Sequence, residues 1–159
     1  MANSTFTRTL NSETQSAAFA RRVAARLSSG HTLLLEGPVG AGKTHFARSA
    51  IKSLLLDDED VPSPTFTLVQ TYDSTAGPIW HADLYRLTSD YEVEELGLMD
   101  AMEDAICLIE WPDRLGSLMP AEAAVLAFTP DPYDENKRSL TATWSGATWD
   151  AVFKGLAHD

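Results

Sequence analysis

The stretch Gly37-Pro38-Val39-Gly40-Ala41-Gly42-Lys43-Thr44, GPVGAGKT, decides how the rest of the chain is read. It has the spacing Gly-x4-Gly-Lys-Thr. The short apolar run HTLLLEG precedes it, and a segment with apolar residues at Phe46, Ala47, Ala50, Ile51 and Leu54 follows. A buried strand, a glycine loop and an amphipathic helix are therefore expected in that order. Glycines let the backbone turn tightly and aim its N–H groups at phosphate oxygens, and the helix adds the positive end of its dipole. Lys43 supplies a point charge for the β- and γ-phosphates of a nucleotide, and the Thr44 hydroxyl is placed to ligate Mg2+. The eight residues of the loop, Gly37 to Thr44, are the expected nucleotide-binding set.

Mg2+ held beside phosphates needs one or two carboxylates, so a second acidic element is expected at a nearby strand end. Glu110 fits, because Ile106, Cys107, Leu108 and Ile109 deliver it to the C-terminal edge of a strand, where ligands bind in open α/β sheets. Asp83 is the other candidate, set in the apolar and aromatic run IWHADLYRL, where a carboxylate without a partner is costly. The alternatives are a rim carboxylate for Glu110 and a structural pair with His81 or Arg86 for Asp83. His81 reads as a hydrogen-bonding residue of a half-buried strand, since a single cysteine offers no zinc set. Trp111 either stacks on a ligand or caps the core, and its position decides neither.

Outward from the loop, helical and strand patterns alternate, which implies an α/β layered architecture. Residues 12–29 form an amphipathic helix with Ser12 and Gln15 at capping-box spacing and an end near Gly30. DDED at 57–60 is a solvated loop, and Pro62 and Pro64 force an extended approach to the strand FTLVQTY. A turn at 75–78 joins that strand to IWHADLYRL as a hairpin, with Ile79, His81, Asp83 and Tyr85 on one face. Ser89 and Glu92 make a second capping box for a short helix that Gly97 ends, and Pro112 blocks continuation of ICLIEWP. AAVLAFT and RSLTATW are two further strands, followed by a helix over 148–157.

The chain has 159 residues, about one domain's worth, with 44% hydrophobic residues. One domain spanning residues 1–159 is expected. No apolar run approaches the roughly 18 residues that cross a bilayer, and MANSTFTRTL lacks a secretory signal's apolar core. The single Cys107 forms no internal disulfide, so a reducing cytoplasm and no membrane contact are expected. The formal charge of -11 repels a phosphate backbone, so free nucleic acid is met only through another protein or on a small local patch.

The signatures of a GTPase are missing, which argues against that reading. NKRS at 136–139 lacks the final Asp of the base-reading motif, and DRLG at 113–116 lies too close to it for the intervening strand and helix units. A small kinase acting on a small-molecule acceptor is the competing reading. Such kinases clamp the transferred phosphoryl group with lid arginines, and basic residues thin out after Arg86.

LLLEGPVGAGKT, SPTFTLVQTY, HADLYRL, EELGLMD and ICLIEWP, in this order and spacing, resemble the TsaE (YjeE) family of small bacterial ATPases. The resemblance spans most of residues 33–112. His45 departs from it, since a second Thr often follows the Lys-Thr pair, and the C-terminal region shows no distinctive match. The resemblance implies a three-layer P-loop NTPase-like fold with a mixed parallel and antiparallel sheet flanked by helices. It implies an ATPase using ATP and Mg2+ that is required for N6-threonylcarbamoyladenosine in tRNA. Its partners would be the TsaD and TsaB proteins, an assembly that it resets between rounds, with tRNA met only through them. By the same resemblance Thr44 and Glu110 contact Mg2+, Asp83 organises the metal or the attacking water, and Thr65 in SPTFT sits in a loop that senses the γ-phosphate. Glu13 and Thr14 would lie near the adenine.

Overall fold

The computed structural model describes residues 3–156. In chain order its elements are β1 (Ser4–Leu10), α1 (Glu13–Ala24), β2 (Thr32–Glu36), α2 (Lys43–Leu54), β3 (Val69–Tyr72), β4 (Ile79–Asp83), α3 (Asp90–Glu95), α4 (Leu98–Asp104), β5 (Ile106–Glu110), a 3-10 helix (Pro112–Leu118), β6 (Ala124–Pro130), β7 (Arg138–Trp144) and α5 (Ala147–Phe153). The strands make one seven-stranded sheet in the order β1-β7-β6-β2-β5-β4-β3. At its centre β6, β2, β5 and β4 are parallel, while β3 runs against β4 and β7 runs against both β6 and β1. The mixed sheet with helices is the architecture expected.

Two apolar layers cover the sheet. Phe19, Val23, Phe46, Ile51, Trp149 and Phe153 from α1, α2 and α5 pack with Leu33, Leu35, Leu108 and Leu126 on one face. Val93, Leu98, Ala101 and Leu115 pack with Leu34, Ala82, Cys107 and Ile109 on the other. This explains why every residue of β5 is buried: a parallel strand covered on both faces is apolar throughout, and its one exception is the terminal Glu110. Period-2 alternation puts His81 and Asp83 on the same face as Ile79, toward α2.

Several elements depart from the sequence pattern. β1 was not expected, because its inward positions offer only Phe6 and Leu10 as apolar residues; β7 holds it at seven paired positions. The first α-helix stops at Ala24, and the chain tightens into three-residue turns, Arg26 N–H to Val23 O at 3.0 Å and Leu27 N–H to Ala24 O at 3.1 Å. Ser12 caps α1 as expected, accepting from Gln15 N–H at 3.1 Å, while Gln15 Oε1 reaches back to Asn11 N–H at 2.9 Å. The second box does not form: Glu92 accepts from Thr88 Oγ1 at 2.7 Å, and Ser89 makes no side-chain cap. Gly97, at φ 81°, ends α3 and also starts α4, a helix the pattern did not announce. β3 begins at Val69 and not at Phe66, since Leu68 N–H closes a turn on Pro64 O at 2.7 Å and Leu68 takes φ 69°. The last helix ends at Phe153 as an α-helix, and position 157 lies outside the described residues.

Candidate functional site

The central parallel strands end together, and the site is built on those ends. Asp83 of β4 pairs in register with Glu110 of β5, and Glu110 with Leu35 of β2, so both acids stand beside the point where β2 enters the glycine loop. Gly37 leaves β2 at φ 142°, where a Cβ would lie 2.6 Å from the backbone oxygen of Phe128, so any side chain there collides with β6. Gly40 and Gly42 are left-handed at φ 81° and 100°, a conformation that favours glycine. α2 starts at Lys43 with no side-chain cap, which leaves the positive end of its dipole toward the loop.

Lys43 is 4% exposed. Its ammonium donates to Gly37 O and sits 3.6 Å from the centre of the Trp111 ring. Burial lowers its pKa from the ordinary lysine value, and the carboxylates of Glu110, Asp83 and Asp113 oppose that shift. Trp111 adopts φ 59°, uncommon for a bulky residue, and its other ring neighbour is Tyr85 at 4.7 Å. It packs on the second apolar layer, as the core-capping reading has it, and also forms part of the cavity wall.

Glu110 is 1% exposed and doubly held. One oxygen accepts from Thr44 Oγ1 at 2.7 Å, and the other is 2.7 Å from His81 Nε2. Asp83 takes neither His81 nor Arg86 as partner: Tyr85 N–H donates to one oxygen at 3.0 Å and Thr65 Oγ1 to the other at 3.2 Å. Thr65 in turn meets Ser63 Oγ at 2.7 Å, a contact made by the turn that displaces the start of β3.

Lys43, Thr44, Thr65, Asp83 and Glu110 therefore converge, and with Val39, Gly40 and Gly42 they line one cavity of about 690 Å3. Gly37, Pro38 and Ala41 shape the loop without lining the cavity. Glu13 reaches its wall, whereas Thr14 is not among the lining residues. A hydroxyl and two carboxylates beside a lysine are a set that would suit Mg2+ bound together with the phosphates of a nucleotide.

Arg138 is the residue that sequence reasoning missed. From the start of β7 it donates to Ala41 O at 2.9 Å and Gly40 O at 3.1 Å, and also to the carbonyls of Glu135 and Lys137. It lies 97 residues from the loop it braces, so no local pattern could reveal it. His45, the departure from the family pattern, ties α2 to α1 through Nε2 and Glu13 O at 3.1 Å.

A family model described as threonylcarbamoyl adenosine biosynthesis protein TsaE matches residues 10–140. The tRNA threonylcarbamoyladenosine biosynthesis protein TsaE of Rickettsia bellii is 43% identical over 111 residues, 70% of this chain and 77% of the relative. The protein of that name from Bacillus subtilis is 35% identical over 154 residues, 96% of this chain and 94% of the relative. The crystal structure of Bacillus subtilis YdiB superposes with a TM-score of 0.79, covering 99% of this chain and 97% of that one at 24% identity, which is a likeness of fold.

Proposed function

The chain belongs to the TsaE family, whose role is in tRNA threonylcarbamoyladenosine biosynthesis, and from that premise we propose that it is a Mg2+-dependent ATPase that drives a partner assembly, TsaD with TsaB, between rounds of tRNA modification. The observation that carries the reading is the contact between Thr44 and Glu110, which brings the helix-start hydroxyl and a buried strand-end carboxylate to one point beside Lys43.

Each residue then has a task. The loop N–H groups and the start of α2 bind the phosphates, and Lys43 exchanges its contacts with Gly37 O and Trp111 for phosphate oxygens. Thr44 and Glu110 would hold Mg2+, which when bound would supply positive charge beside the phosphates. Asp83, fixed by Tyr85 N–H and Thr65, orients the attacking water, and Thr65 carries the presence of the γ-phosphate into the 63–68 turn. Arg138 is committed to four carbonyls, which leaves Arg86 as the other arginine lining the cavity; a phosphoryl clamp of the kinase type is not assembled.

The test is ATP binding and phosphate release by the purified protein with Mg2+, alone and with TsaD and TsaB from the same source. Slow basal turnover that the assembly alters, together with ATP-dependent association, is expected; Lys43→Ala and Glu110→Gln should abolish turnover and keep the fold. No association and no effect on turnover defeats the reading. ADP formed in step with a phosphorylated small acceptor would establish the kinase instead.

A further inference from the structure

We propose that His81 is a positioning residue for Glu110, fixing the plane of its carboxylate for the cation that binds there with the nucleotide. This rests on the reading of Glu110 as the cation-side acid.

His81 lies in mid-β4, opposite Leu108, one pleat below the level at which Asp83 stands opposite Glu110. Its ring therefore points to the α2 face and reaches up the sheet, and Nε2 meets Glu110 at 2.7 Å with His81 0% exposed. Nδ1 has no partner among the described residues. A carboxylate acceptor requires a proton on Nε2, so His81 is the donor in this bond. An imidazole with one nitrogen unpartnered is a costly way to fill a place that follows Ile79 on the same face of the strand and lies opposite Leu108. The bond to Glu110 is what the imidazole adds.

That bond matters because of how glutamate rotates. The terminal torsion of a Glu side chain is broad, so one hydrogen bond leaves the carboxylate plane free to swing. Thr44 provides one anchor by donating to one carboxylate oxygen, and the lone pairs of its hydroxyl remain available to a cation. His81 is the anchor on the other oxygen, borne on a central strand, and it takes both bonds together to fix the carboxylate plane. Partners of metal-ligating carboxylates commonly have this function, and removing one costs roughly 10–100-fold in metal affinity.

The experiment measures the gain in affinity for a non-hydrolysable ATP analogue that Mg2+ confers, by calorimetry with Mg2+ and with EDTA, on wild type, His81→Gln and His81→Asn. The Gln amide nitrogen reaches the place of Nε2, whereas the Asn amide reaches only that of Nδ1. His81→Gln is expected to keep the Mg2+-dependent gain. His81→Asn is expected to lose about 10–100-fold of it while its affinity in EDTA stays that of wild type. A merely structural histidine would shift the melting temperature in EDTA and leave the gain intact in both variants. A folded His81→Asn with the full gain overturns the proposal, and so does a His81→Gln that loses it. If His81→Asn does not fold, His81→Met, which fills the place without a donor, is read in its stead: loss of the gain supports the role and the full gain ends it. A wild-type protein without any Mg2+-dependent gain brings down the reading of the site and this inference with it.

Discussion

At the scale of single residues, Asp83 and Glu110 are neighbours in register yet differ in what holds them. Glu110 is gripped by side chains that reach it from α2 and β4, whereas Asp83 is gripped by its own following backbone and by Thr65 of the 63–68 turn. The first arrangement suits a fixed ligand and the second an acid whose setting changes with a loop. Asp83→Asn keeps an acceptor for Tyr85 N–H and removes the charge. If Asp83 orients the attacking water, this variant should bind the ATP analogue with nearly wild-type affinity and turn ATP over roughly 10²–10⁴-fold more slowly. Equilibrium binding and single-turnover phosphate release separate the two effects. A loss of Mg2+-dependent binding equal to the loss in rate would move Asp83 to the metal and refute the division of labour.

At the scale of elements, β5 shows what burial on both faces does to chemistry. Cys107 lies in it at 0% exposure, and burial pushes its thiol up to about 12 from 9.0, against a smaller opposing hydrogen bond with Thr32. Between those values the unfolded chain has released a proton that the folded chain retains. The unfolded state thus binds fewer protons and stability falls as pH rises, by about 1.4 kcal/mol per pH unit for this one group. Denaturant unfolding of wild type and Cys107→Ala from pH 8 to 11 should show a steeper alkaline decline in wild type; parallel curves would contradict it. The same burial made β5 legible, since a short continuous apolar run stopped by Pro112 fits an inner strand with Glu110 at its C-terminal end. β2 and the glycine loop were legible for the same reason, together with spacing that chemistry dictates. β1 and the turn at 64–68 were not, because a long-range pairing with β7 and the left-handed Leu68 decide them, and neither leaves a local pattern. Arg138 belongs with these: its partners are carbonyls, which carry no sequence identity. Asp83 was legible as a candidate while its partners were not, since Thr65 reaches it only through the turn.

At the scale of the molecule, the charge of -11 is unevenly shared along the chain. Seven of the twelve Lys and Arg fall in residues 1–56, with only Glu13 and Glu36 against them, so residues 57–159 carry nearly all the acid. In space Arg21 and Arg22 are exposed in the last turn of α1 and Arg26 in the turn after it, and Arg8 of β1 lines a groove of about 370 Å3 with Arg22. A protein so divided presents one weakly attractive face to RNA and a repulsive remainder, so it should meet tRNA only when something else holds both. Purified protein and fluorescent tRNA should therefore show no stable complex at about 0.15 M salt. Weak association at about 0.02 M salt should fall by roughly 10²–10³-fold over a tenfold rise in salt if three phosphates are contacted, and should disappear when Arg21, Arg22 and Arg26 are changed to Gln. Binding that resists salt, or that survives those substitutions, would show a contact made by shape and hydrogen bonds, and would place tRNA on this chain directly and not through its partners.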